Sequence, residues 1–106
     1  MYDFKWSDAE KRLARRVFEL ALKAELADIM AEFKARAAAA AEPDDMWSIE
    51  QHLHHKRREI EAKYDFRYSR LILLFAQLLR EGRMQEEHLA GLADEKLSSI
   101  RRIASL

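Results

Sequence analysis

His52, His54 and His55 crowd into four positions, and imidazole is a common metal ligand and proton carrier near neutral pH. On a helix only residues three or four apart share a face, so His52 pairs with His55, and Glu59 could add a carboxylate. Nothing completes such a site. His88 stands alone, and the chain has neither an HExxH motif nor the paired Glu-x-x-His of bundle di-iron proteins. The histidines therefore read as a solvated helix face, with no metal and no cofactor expected. Cysteine is absent, which removes thiolate ligands, thiol nucleophiles and disulfides. There is no glycine-rich loop to cradle a phosphate. The acid pairs Asp44-Asp45 and Glu86-Glu87 stand where helices should begin, where a negative charge suits the helix dipole. Lys56-Arg57-Arg58 is interleaved with Glu50, Glu59 and Glu61, an alternating charged face rather than a phosphate clamp. No catalytic constellation emerges, and the chain is not expected to be an enzyme.

Trp47 resists so plain an account. On a helix it lies about 100° from the stripe Met46, Ile49, Leu53, beside Glu50, His54, Arg57 and Arg58. Tryptophan and arginine are the residues that most often anchor protein contacts. The competing reading has Trp47 stapling the first turn of its helix against the preceding one.

The elements that carry these residues follow from composition. Two glycines, one proline and no asparagine in 106 residues leave few tight turns, while Ala, Leu, Glu, Lys and Arg favour helix. An all-α fold is predicted. Ser7, with Glu10 three residues later, forms a capping box that starts the first helix. Nothing breaks it before Glu42-Pro43, which gives a rod of roughly 50 Å. Leu13, Val17, Leu20, Ala24, Ala27 and Ala31 form one apolar stripe on it. Phe18, Leu22, Leu26, Ile29 and Phe33 form another on roughly the opposite side. One small chain, with a compact radius of gyration near ~13 Å, can hardly cover both. A homodimer is the expected solution.

Asp44 or Asp45 should cap a second helix to about Tyr64, with Met46, Ile49, Leu53, Ile60 and Tyr64 as its seam. A short turn after proline returns it antiparallel, so two hairpins would make an elongated four-helix stem. The apolar run 71–76 marks a third, buried helix that ends at Glu81-Gly82. A short helix follows, and the last begins at Asp94 with Leu97, Ile100 and Ile103 inward. The expectation is one domain, a dimerising stem over residues 1–65 and a helical head over 66–106.

Lys plus Arg and Asp plus Glu both number 19, and zero net charge argues against a nucleic-acid binder. The start Met1-Tyr2-Asp3-Phe4-Lys5 lacks a signal-peptide pattern, and no apolar run approaches the ~20 residues of a membrane span. A cytoplasmic protein is expected.

Beyond these patterns the sequence resembles the fluorescence recovery protein family. The likeness lies in Asp44-Asp45-Met46-Trp47, Lys56-Arg57-Arg58-Glu59-Ile60, and Lys63-Tyr64-Asp65 with Arg67 and Ser69. It continues through Phe75-Ala76-Gln77-Leu78-Leu79, Glu81-Gly82, Gln85 with Glu87, then Leu92, Ala93 and Ile100. The resemblance covers residues 7–106 and is strongest over 44–93. It implies an all-helical dimer without cofactor. Such a protein binds the photoactivated orange carotenoid protein and speeds its return to the resting form, ending quenching of the antenna. It marks Trp47 and Arg57 as functional positions. It also shows departures: Glu50-Gln51 replace a His-Asp pair, Leu73 an aromatic and Ser99 a lysine. The expected contact residues are thus Trp47, Arg57, Glu50, Gln51 and Leu73. The expected dimer stem is Met46, Ile49, Leu53 and Ile60 with Phe18, Leu22, Ile29 and Phe33.

Overall fold

A computed structural model describes residues 4–106; Met1, Tyr2 and Asp3, read above for targeting signals, lie outside the described residues. The chain is all helical: α1 (Asp8–Ala39), α2 (Pro43–Lys63), α3 (Tyr68–Arg80), a 3₁₀ turn (Glu86–Leu89) and α4 (Asp94–Ala104). Its radius of gyration is 16.9 Å and its extents are 54 × 27 × 24 Å, well beyond a compact chain of this length. No helix among the described residues is long and apolar enough to cross a membrane.

Local chemistry sets the ends. The Glu10 amide donates to Ser7 Oγ at 3.1 Å, and the Ser7 amide donates to Glu10 Oε1 at 3.0 Å, the expected capping box. Ser7→Ala should lower stability by about 1 kcal/mol in urea unfolding, with no change of fold. Pro43 opens α2 as its first residue, where a missing amide hydrogen costs nothing. Glu42 rather than an aspartate occupies the N-cap. Asp45 works from inside the first turn, its Oδ2 accepting the amides of Ala41 and Glu42, each at 2.9 Å. Gly82 sits at φ +73° after α3, and the amides of Gly82 and Arg83 donate to the carbonyls of Leu79 and Leu78. That 6→1 and 5→2 pairing is a Schellman stop.

The core lies at one end of the rod. Leu13, Ala14, Val17, Phe18 and Ala21 of α1 pack with Leu71, Ile72, Leu74, Phe75, Ala76 and Leu78 of α3, closed by Met84, Leu89, Leu92 and Ile100. Phe75 is fully buried, as expected of the head. Two expectations change. Phe18 is not on the stem seam but inside the head, edge-on to Tyr64 and Phe66. The first third of α1, far away in sequence, shares this core with α3 and α4. Periodicity gave two stripes and could not say that the head-end members of both, Leu13 and Val17 of one and Phe18 of the other, are buried within the chain. Nor is α3 buried all round, since Leu73 is 48% exposed.

One ion pair is sealed in this head. Lys96 Nζ lies 3.1 Å from both carboxylate oxygens of Glu10 and donates to the Lys5 carbonyl at 2.7 Å. Glu10 Oε2 also accepts the Ala93 amide, the N-cap of α4, at 2.9 Å. Burial works against the charged carboxylate. The amides of Ser7 and Ala93 and the Lys96 ammonium outweigh it and hold its pKa down to about 2.

Beyond the head, α1 and α2 run on as a hairpin, and α2 has no buried residue at all.

The exposed stem face and the head–stem cleft

The open length of α2 carries most of the residues singled out by sequence. Trp47 is 57% exposed, so it does not staple α2 to α1. Glu50, Gln51 and Arg57 are exposed on the same helix, and the Arg57 side chain reaches only its neighbour Glu61, at 3.9 Å. Met46 is exposed, while Ile49, Leu53 and Ile60 are half-buried. On α1, Leu22 and Ile29 are half-buried and Phe33 exposed. The hairpin thus covers one flank of these apolar side chains and leaves the other open.

The histidines divide. His52 turns toward α1, its buried Nε2 lying 3.4 Å from Glu32 Oε1 without a hydrogen bond. His54 and His55 are exposed, with rings 6.0 Å apart. No group of three or more His, Cys, Asp or Glu side chains that could hold a metal occurs among the described residues.

Leu73 is not on this face. It lines a cleft where head meets stem, with Glu59, Ala62 and Lys63 of α2 and Leu74 and Gln77 of α3. A rise of 12 residues from Trp47 to Glu59 puts the cleft roughly 18 Å along the rod from the tryptophan. Ser99 is buried, so this departure from the family's lysine falls in the interior.

Charges that sequence reading missed hold the joint at the base of the cleft. Glu25 of α1 accepts from Lys63 Nζ at 2.8 Å and from the Tyr64 hydroxyl at 2.7 Å. Lys63 also reaches Glu81 at the end of α3, and Arg83 Nη1 donates to Asp28 at 2.9 Å. Burial raises the Glu25 carboxyl, but the bonds from Lys63 and Tyr64 outweigh it and keep its pKa below the ordinary value. Burial first, then the Glu25 carboxylate, pushes the Tyr64 hydroxyl upward. Three chain segments meet here, α1, the end of α2 and the end of α3, so the angle between head and stem is set by charge as well as packing. The only hint in sequence was Glu25 flanking an apolar stripe.

What the arrangement offers is surfaces, an open stem face and a head–stem cleft. Residues 6–104 match the family model described as photoprotection regulator fluorescence recovery protein. The curated fluorescence recovery protein of Synechocystis sp. PCC 6803 is 43% identical over 101 residues, covering 95% of this chain and 93% of that one. The solved structure of the Synechocystis protein superposes with a TM-score of 0.90 at 42% identity, over 96% of this chain and 100% of that one. The Fremyella diplosiphon fluorescence recovery protein gives the same TM-score and coverage at 32% identity. By sequence and fold together, this chain belongs to the fluorescence recovery protein family of photoprotection regulators.

Proposed function

We propose that the chain is a non-enzymatic, homodimeric regulator that binds a photoactivated orange-carotenoid-type protein and accelerates its return to the resting form. One observation carries this reading. A 21-residue helix bearing Met46, Trp47, Ile49, Leu53 and Ile60 buries none of them fully, although each would gain from leaving water. A second copy laid along the α1–α2 flank would cover Met46, Ile49, Leu53, Ile60, Leu22, Ile29 and Phe33. Trp47, about 100° around α2, stays at the rim of that seam with Glu50, Gln51 and Arg57. In an antiparallel dimer, Arg57 would meet Glu50 or Asp45 of the second copy. A ligand shifts a two-state partner only by holding one state better, so acceleration requires contacts made with the activated form and lost in the resting form.

The experiment is dark recovery of a photoactivated carotenoid protein, followed by absorbance with and without this protein. Acceleration supports the reading; none at molar excess refutes it. Trp47→Ala should reduce the acceleration roughly tenfold, the range of a contact anchor, with an unchanged melting temperature because the indole packs on little within the chain. A second reading is a dimeric helical adaptor with another partner. It is favoured by the departures at the exposed positions Glu50, Gln51 and Leu73, which alter the working surface, whereas the departure at Ser99 is buried.

A further inference from the structure

The head end of α1 presents a charge arrangement that the functional reading does not use. Lys11, Arg12, Arg15, Arg16 and Lys23 are all exposed, and together they line one shallow cleft with Leu20, itself 57% exposed. None of the five joins an ion pair among the described residues, whereas Lys63, Arg83 and Lys96 each pair with a carboxylate from a distant part of the chain. Glu19 is the lone acid of the cleft. Two of the cations rest on aromatic rings, Arg15 at 3.7 Å from the Phe66 centroid and Lys11 at 5.5 Å from that of Tyr68. Such stacking fixes them in place without neutralising their charge. In a chain of zero net charge, five unpaired cations within three to four turns of one helix are self-repelling. By helical spacing, Arg12, Arg16, Leu20 and Lys23 lie about 100° around α1 from Leu22, Ile29 and Phe33. That part of the patch therefore remains open when the stem seam is covered, while Lys11 and Arg15, in line with Leu22 and Ile29, lie against Tyr68 and Phe66.

We propose that this patch is a second docking surface, taking an acidic face of the carotenoid-binding partner that carries an apolar side chain to cover Leu20. The assignment rests on the functional reading above and adds where on the head the partner is held. Lys11 to Lys23 spans roughly 18 Å, the scale of one protein contact rather than of a polymer track. The apolar centre ringed by cations asks for a partner with both an acidic rim and a greasy plug, which fits a folded protein surface.

Binding of the photoactivated carotenoid protein is measured by calorimetry for wild type, Arg12→Glu/Arg16→Glu and Lys34→Glu, from about 0.02 to 0.2 M salt. Lys34 is exposed on the same side of α1, about 16 Å further along, and serves as a charge control. Wild-type affinity should fall with salt. The double variant should bind roughly tenfold more weakly with its salt dependence largely gone, and Lys34→Glu should match wild type. If the double variant melts lower than wild type, Arg12→Gln/Arg16→Gln takes its place with the same expectation. Equal binding by the double variant and wild type, or equal weakening by Lys34→Glu, overturns the patch while leaving the functional reading intact. Absence of wild-type binding overturns both, and binding of anionic vesicles in preference to the carotenoid protein overturns the patch as a protein surface.

Discussion

Lys96→Met should cost about 3–5 kcal/mol of folding stability, the largest single-residue effect expected in this protein. The ammonium is nearly inaccessible, its side chain 3% exposed against 9% for Glu10. Removing it leaves a carboxylate in the head with two amides but no counter-charge. It also frees the Lys5 carbonyl and strips the cation from the faces of Trp6 and Phe4. Thermal unfolding near neutral pH should show a drop of roughly 15–30 °C. Glu10→Gln combined with Lys96→Met should recover much of the loss, because a neutral pair carries no unpaired charge. A loss below about 1 kcal/mol for the single variant would show the pair to be dispensable.

The same pair sets an acid limit. The Glu10 pKa is depressed in the folded state, so its contribution is complete above the ordinary value of 4.5 and is lost as pH falls toward about 2. Stability should decline across that window, and Glu10→Gln should flatten the decline. An unchanged slope in the variant would assign the acid sensitivity to other carboxylates.

Leu53→Glu is expected to convert the proposed dimer into single chains. Leu53 is half-buried on the free flank of α2, where the proposed second copy would bury the rest of it. A carboxylate forced into that seam without a partner costs several kcal/mol, so the dissociation constant should rise by at least about 100-fold. Light scattering should then move from about twice the 12.5 kDa chain mass to once. Helical content should hold, because the head core does not include Leu53. A variant that stays dimeric at low concentration would place the seam elsewhere, and Ile60→Glu, about two turns nearer the head, separates a shifted seam from none.

Much of this fold was legible in the sequence because its determinants are local. Ser7 with Glu10 starts α1, Pro43 breaks the rod and Gly82 stops α3, each through bonds spanning a few residues. Phe18 was misplaced because helical spacing reports which side chains share a face, not what that face meets. Lys96 was passed over as one more charged residue, yet it stands four before Ile100 on the inward stripe of α4. A lysine at that register was the available sign of a buried partner, but Glu10 is 86 positions away and no spacing rule reaches so far. For the contact surface, Trp47 and Arg57 could be singled out by residue type. The cationic patch of α1 could not, since its character depends on carboxylates that pair elsewhere in three dimensions.

The joining of α1 to α4 has a consequence for biosynthesis. A ribosome delivers Leu13, Val17 and Phe18 long before Ile100, yet all four belong to one core. Helix α1 therefore leaves the exit tunnel with its greasiest third bare, and its core is not complete until α3 and α4 have followed. Growing chains of this protein should depend on holdase protection early, and a stop codon anywhere in α4 should yield an aggregating fragment rather than a shortened working protein.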